Sequence, residues 1–150
     1  MTKVIICGSI SAAEEILEAK KQLEQMEHEV EIPEGVKSLE LRNRTEVSTE
    51  EKAEDKVSGD LIRGYFEKMK NYDAVLVVNP EKRGVQGYIG GNTLIEMAFA
   101  HVLGKQLYTL YPLPKLSYSA EIIAMQPVVL DGNLSKVQYN SRGLTSEYTA

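Results

Sequence analysis

Apolar and polar residues follow one another in blocks along this chain, and each block has the spacing of a buried strand or of an amphipathic helix. Four strand blocks are short apolar runs, at positions 3–7, 74–78, 107–111 and 128–130. A fifth, at 29–32, alternates between polar and apolar residues and stops at Pro33, as expected for a short strand near an edge of the sheet. A run that is apolar at successive positions is typical of a parallel strand covered on both faces. The run at 74–78 is the most hydrophobic, so we expect it to form the central strand.

Between the strands, apolar residues recur at the three- and four-residue spacing of helices. The first predicted helix follows Ser9 or Ser11, either of which is a suitable N-cap, and a short one is predicted at 119–125. Two longer helices are predicted over 61–71 and from the glycine-rich loop at 87–93 to a stop at Gly104. The charged stretch 34–60 has few apolar positions and is interpreted as a mobile connection or lid within one domain spanning 1–150.

Alternating strands and helices predict an α/β fold, an open, doubly wound parallel sheet of five strands. In such sheets, ligands bind beyond the carboxyl ends of the strands, at the point where the strand order reverses. Gly8, Ser9, Asn79 and the loop 87–93 all follow predicted strands at that edge. We therefore expect the binding site there.

Composition narrows the classes of ligand. The chain has 150 residues, one cysteine, two histidines and a net charge of −5, which predicts neither a disulfide framework nor a metal site and disfavours a nucleic-acid polymer as partner. No apolar run reaches the roughly 20 residues of a membrane span, and the first residues do not resemble a signal peptide. We expect a cytoplasmic protein with a small-molecule ligand, no membrane association and no cofactor.

Glu96 is the main candidate for chemistry, because it lies in a helix that is apolar on nearly every side. Two interpretations are open. Thr93 and Glu96 have the spacing of a capping box, and spacing alone favours that structural role. In the functional interpretation, Glu96 is an ionised nucleophile in the first helical turn, beside glycines that admit a ligand. Cys7, in contrast, is interpreted as an inert thiol in a buried strand.

Three segments together resemble the nucleoside 2-deoxyribosyltransferase superfamily, which includes deoxynucleoside monophosphate N-glycosidases. They are Ile6-Cys7-Gly8-Ser9-Ile10 after the first strand, Tyr72-Asp73-Ala74-Val75-Leu76-Val77-Val78-Asn79, and Asn92-Thr93-Leu94-Ile95-Glu96-Met97-Ala98-Phe99-Ala100. The resemblance implies a flavodoxin-like subunit, a homodimer or higher homo-oligomer, that cleaves the N-glycosidic bond of a nucleoside or nucleotide. Glu96 matches the nucleophile of that superfamily.

The residues expected to contact the substrate surround Glu96 at the same sheet edge. They are Gly8, Ser9, Ile10, Asn79, Tyr88, Gly90, Gly91, Asn92 and Thr93. Gly90, Tyr65 and Ile5 depart from the superfamily pattern, two of them where it has acidic residues and one where it has a tyrosine. The proton donor for the leaving base is therefore unassigned, and a nucleotide-binding sensor without catalysis is the alternative function.

Overall fold

The computed structural model describes residues 1–41 and 60–138, and within them five strands form one parallel sheet. The strands are β1 (Lys3–Cys7), β2 (Glu29–Glu31), β3 (Ala74–Val77), β4 (Gln106–Thr109) and β5 (Val128–Val129). Their order is β2-β1-β3-β4-β5, and every neighbouring pair is parallel. This is the doubly wound arrangement predicted from the sequence, an α/β fold compatible with a flavodoxin-like architecture. As predicted, β3 is the central strand.

The start of β1 is fixed to the residue that introduces β3. The Asp73 carboxylate accepts a hydrogen bond from the Lys3 N–H at 2.9 Å, and the Asp73 N–H donates to the Lys3 carbonyl at 2.8 Å. This reciprocal pair sets the register in which Val4 lies opposite Ala74 and Cys7 opposite Val77. The carboxyl ends of β1 and β3 consequently lie side by side.

Helices cover both faces of the sheet, because successive residues of each buried strand point to opposite sides. On one face, which we call the α1-side core, Val4 and Ile6 pack with helix α1 (Ala13–Gln25) and with Val36 of α2 (Glu34–Leu41). On the other, the α4-side core, Ile5 and Cys7 face three helices. These are α3 (Leu61–Met69), α4 (Gly91–Val102) and α5 (Ser119–Ala124).

The strand order reverses between β1 and β3. The chain leaves β1 for α1 on one face and leaves β3 for α4 on the other face. The turn after β1 and the loop after β3 therefore diverge at the carboxyl edge of the sheet, where open parallel sheets hold their ligands.

Helix α2 is the main departure from the predicted elements. Residues 34–41 were expected within a connection, yet they form a helix whose Val36 is completely buried. The sparse apolar positions concealed it, since the helix contributes few side chains to the core. The rest of the predicted connection, 42–59, lies outside the described residues, and Asp60 caps α3 through the Arg63 N–H. No helix among the described residues has the length and apolar character to span a membrane.

Candidate functional site

Glu96 lies in the second turn of α4 with its side chain in the α4-side core, and only 7% of the residue is exposed. The helix begins at Gly91 with Gly90 as its N-cap, and no side chain caps it. The capping-box interpretation is therefore wrong, because Thr93 is already the third helical residue. The expected first-turn location of Glu96 is wrong for the same reason, and the helix dipole acts mainly within the first turn.

Burial dominates the electrostatics of Glu96. Removal from water disfavours the charged carboxylate and raises its pKa to about 7, while the nearby Cys7 side chain acts in the opposite direction. A carboxyl group with this pKa exchanges its proton near neutral pH. It is therefore suited to be an ionised nucleophile or a proton carrier at the pH of a cell.

Two further titratable side chains lie beside Glu96. Cys7 ends β1 and is fully buried, so the expected burial of its thiol is confirmed; burial, and then the nearby Glu96, raise the pKa of the thiol. The Tyr65 hydroxyl, from α3, donates to the Ile6 carbonyl, and burial followed by the charges of Cys7 and Glu96 raises the pKa of this phenol. Strand, helix and helix thus bring a thiol, a phenol and a carboxyl group together.

The sequence pattern does not predict this grouping. It favours an inert thiol at Cys7, and Tyr65 stands out only as a departure from the superfamily pattern. Strand alternation was the available signal, because it places Ile5 and Cys7 on the face that α4 covers. The chain carries no comparable signal that Tyr65 reaches the same point from a different helix.

The turn after β1 is held by packing and by a local cap. A Cβ on Gly8 would lie 3.0 Å from the Val78 carbonyl oxygen and 3.1 Å from Ile16 Cδ1, so close packing requires a small residue there. Ser9 Oγ accepts the Ser11 N–H at 3.2 Å and caps a short 3-10 turn at Ile10–Ala12. The prediction that Ser9 or Ser11 caps α1 is wrong, because this turn precedes the helix and its N-cap is Ala12, with no side-chain hydrogen bond. The neighbouring Ile10 is partly exposed.

Lys82 connects this turn to the loop after β3. Its Nζ donates to Ser9 Oγ at 3.3 Å and lies 5.5 Å from the centre of the Tyr88 ring. The Tyr88 ring in turn covers Gly90, where an added Cβ would lie 3.3 Å from Tyr88 Cε1. The predicted residues Ser9, Tyr88 and Gly90 are therefore brought together around Lys82.

The remaining predicted residues divide into buried and exposed groups. Gly91 and Asn92 are exposed at the start of α4, whereas Thr93 is buried. Asn79 is also buried, and its side chain is used inside the protein: Nδ2 donates to the carbonyls of Gly87, Tyr111 and Pro112, and Oδ1 accepts the Tyr111 N–H at 2.9 Å. Both amide hydrogens of Asn79 are used in these bonds, so its side chain links two loops, and its predicted contact with a substrate stays a prediction.

The fold and this grouping define an α/β protein with a buried carboxyl group next to the reversal point of a parallel sheet. Comparisons of the chain with protein-family models, with characterised proteins and with solved structures gave no match. The function of the protein is therefore inferred from the geometry of the site and from the sequence resemblance.

Proposed function

We propose that this protein is an enzyme that cleaves the N-glycosidic bond of a nucleoside or nucleotide, as a hydrolase or as a 2-deoxyribosyltransferase. The observation that carries the proposal is Glu96, a carboxyl group with a pKa of about 7, buried beside the end of β1 at the sheet edge where ligands bind. A buried ionisable group without a charged partner destabilises a protein, so its retention favours a chemical role. The sequence resemblance supplies the reaction class.

In the proposed reaction, the ionised Glu96 oxygen attacks the anomeric carbon of the sugar. The new bond from carbon to oxygen forms as the bond to the base nitrogen breaks, and the bonding pair leaves with the base. Water, or a second base, then attacks the same carbon and releases the glutamate. The departing base has to gain a proton on leaving or shortly afterwards.

A nucleotide-binding protein without catalysis is the second candidate, and one observation favours it. Among the described residues, no second carboxyl group contributes to the pKa of Glu96, for which only burial and Cys7 are responsible. The nearby groups that carry a proton are the Cys7 thiol and the Tyr65 phenol, burial raises the pKa of both, and the Tyr65 hydroxyl already donates to the Ile6 carbonyl. In this candidate, Glu96 accepts a hydrogen bond from a sugar hydroxyl and no bond is cleaved.

The decisive experiment is an assay of free base released from a panel of nucleosides, 2′-deoxynucleosides and their 5′-monophosphates. Release by the unaltered protein is expected for at least one substrate, and Glu96→Gln is expected to lower kcat/KM by about 10³-fold or more, because the amide is not a nucleophile. The matched control is Glu121→Gln, since this glutamate is exposed on α5, and it is expected to leave kcat/KM unchanged.

The outcomes separate the two candidates. Binding of a panel member without release of base would support the binding protein and exclude the enzyme. Undiminished release by Glu96→Gln would exclude Glu96 as nucleophile. A covalent sugar adduct on the Glu96 peptide, detected by mass spectrometry after rapid acid quenching, would support the glycosyl-enzyme directly.

We also propose that the protein is a cytoplasmic homodimer or higher homo-oligomer, as the resemblance and the sequence imply. Exposed apolar side chains on neighbouring helices support self-association, because they offer area to bury between subunits. On α3 and α4 these are Ile62, Ile95 and Val102, which are 49%, 42% and 80% exposed.

A further inference from the structure

The edge strand β2 ends before β1 does. It pairs with β1 over Glu29–Glu31, opposite positions 3–5, and the Glu29 N–H donates to the Thr2 carbonyl at 3.2 Å. In a parallel ladder, the N–H groups of one strand that face the same neighbour are two residues apart. The next N–H groups that would face β1 are therefore those of residues 31 and 33, opposite the carbonyls of residues 4 and 6.

Residue 33 is a proline, which has no N–H to donate. Ile6 is completely buried, so its carbonyl would lack a hydrogen-bond partner inside the protein. The Tyr65 hydroxyl takes that place, since it donates to the Ile6 carbonyl from α3. A helix side chain thus completes the sheet at the point where the edge strand cannot.

The end of β1 that this bond holds leads into the turn of the candidate site. On the β3 side, the Cys7 carbonyl accepts the Val78 N–H at 2.9 Å, and Gly8 packs against the Val78 carbonyl. Ser9, which is expected to contact the substrate, follows directly. Without the Tyr65 hydroxyl, the last residues of β1 would be held by backbone hydrogen bonds from the β3 side alone.

We propose that Tyr65 is a positioning residue, whose hydroxyl replaces the backbone donor that Pro33 cannot supply and so fixes the turn after β1 at the ligand edge of the sheet. The bond to β1 stands whether or not the protein is an enzyme, but its effect on turnover rests on the function proposed above. The same bond explains why this chain has a tyrosine at a position where the superfamily pattern differs. The hydroxyl hydrogen of Tyr65 serves the sheet.

The test begins with Tyr65→Phe, which removes the hydroxyl and keeps the ring. Hydrogen exchange is followed at the Val78 amide, bonded to the Cys7 carbonyl, and at the Leu110 amide, bonded to the Val77 carbonyl between β3 and β4. The ratio of the two rates removes any change in global stability. We expect the ratio of the Val78 rate to the Leu110 rate to rise roughly tenfold, because a hydrogen bond is lost only beside Val78.

Pro33→Ala supplies the missing N–H and allows a rescue. When Pro33→Ala is combined with Tyr65→Phe, the backbone can donate to the Ile6 carbonyl, so the exchange ratio should return to within about twofold of the unaltered protein. Pro33→Ala alone should leave the ratio unchanged. The matched control is Tyr108→Phe, which removes a hydroxyl bonded to the Gln138 carbonyl at 3.4 Å in the α1-side core. It should also leave the ratio unchanged.

Base release supplies the second measurement. At saturating substrate, Tyr65→Phe should lower kcat about tenfold because the turn is misplaced, and the double variant should recover it. An unchanged exchange ratio in Tyr65→Phe, or a raised ratio that Pro33→Ala does not lower, would overturn the role of Tyr65. If Tyr65→Phe does not fold, a folded double variant supports the role and an unfolded one overturns it. A raised and rescued ratio in a protein that releases no base would support the role and count against the enzyme, so the two proposals fail in different measurements.

Discussion

Glu96 is a residue whose surroundings oppose its charge. Burial raises the pKa of Glu96 to about 7, so the carboxylate forms inside the α4-side core only near neutral pH. An apolar residue of similar size would fit the same core without this penalty. The site thus contains a local source of instability, and it should be visible in the pH dependence of folding.

We expect Glu96→Gln to remove one component of that pH dependence. The pKa of Glu96 is about 7 in the folded protein and near 4.5 without the fold, so between these values the folded state binds more protons than the unfolded state. The stability contributed by the protonated form is fully present below pH 4.5. It is lost as the pH rises to about 7, by roughly 3 kcal/mol.

Urea denaturation at pH 4.5 and at pH 8 measures this effect. The difference in the free energy of unfolding between Glu96→Gln and the unaltered protein should shift by roughly 3 kcal/mol in favour of the variant between the two pH values. Other titrating groups cancel in that difference. A constant difference across the range would contradict the raised pKa of the buried carboxyl group.

The sequence predicted that Glu96 is buried, but it did not predict which side chains surround it in the fold. The apolar surroundings in the chain indicated a buried carboxyl group, and it is buried. The capping-box prediction was wrong because the helix begins at Gly91, and the start of a helix after a glycine-rich loop depends on where that loop is anchored. The proximity of Cys7 depends on how α4 packs against the sheet, which local spacing does not determine.

Among the elements, the loop between β3 and α4 has a more rigid structure than a glycine-rich segment suggests. Lys82 and Val85 exchange both backbone hydrogen bonds, at 3.1 and 3.0 Å, around Arg83 and Gly84, which have φ angles of 53° and 80°. Two successive positive φ angles are typical of a tight hairpin turn. The hairpin directs Lys82 towards Ser9, so a hydrogen bond connects this loop to the turn after β1.

Gly87 anchors the same loop to the segment after β4. Its φ is +68°, and a Cβ there would lie 2.0 Å from the Pro112 carbonyl oxygen, so backbone would have to move. Gly84 has a similar φ of +80° but no heavy atom within 4 Å of the added Cβ. The two glycines share one conformational requirement and differ in their surroundings.

We therefore expect Gly87→Ala to be far more damaging than Gly84→Ala. The Gly84 variant should lose about 1 kcal/mol of unfolding free energy, the cost of a left-handed conformation with a side chain. The Gly87 variant should lose about 3 kcal/mol or more, because the steric clash adds to that cost. Urea denaturation of both variants measures the difference, and similar losses would contradict the close approach to Pro112.

The strands and helices were largely predictable from the sequence. The roles of the glycines in the loop between β3 and α4 were harder to predict. Strand runs and helical spacing gave four of the helices because the pattern of buried residues is local. The glycines before α4 were interpreted as giving a ligand access to the backbone. For Gly87 the structure shows a different reason, contact with Pro112, which is 25 residues further along the chain and therefore outside any local pattern.

For the whole molecule, the alternation of strands and helices was enough to predict the layered architecture, a parallel five-stranded sheet with helices on both faces. Short right-handed connections leave few other ways to arrange such a chain. The contacts that complete that edge were beyond prediction, since Lys82 meets Ser9 and Asn79 meets Tyr111 across long sequence separations. Such contacts follow from the folded shape and have no periodic signature.

A charged cluster joins three elements at the β2 edge of the sheet. Glu31 of β2 accepts Lys37 of α2 at 2.6 Å and Lys68 of α3 at 3.3 Å, and Lys68 also contacts Glu34. Burial raises the pKa of Glu31, but hydrogen bonds from Lys37 and from the Ile32 N–H outweigh it, and the net pKa is below its usual value. The edge strand is thus linked to α2 and α3 through one carboxylate.

Glu31→Gln should consequently lower the free energy of unfolding at neutral pH and have a smaller effect at acidic pH. A lowered folded pKa contributes stability that is present above pH 4.5 and is lost as the pH falls through the folded pKa. We expect a loss of about 1 kcal/mol at pH 7 that shrinks towards zero near pH 3, measured by urea denaturation. Glu24→Gln is the control, because Glu24 pairs with Lys20 within one exposed helix face, and its effect should be within about 0.5 kcal/mol at both pH values. Equal losses at pH 7 and pH 3 would mean that Glu31 acts through packing, and that its charge does not hold α2 and α3 to the edge of the sheet.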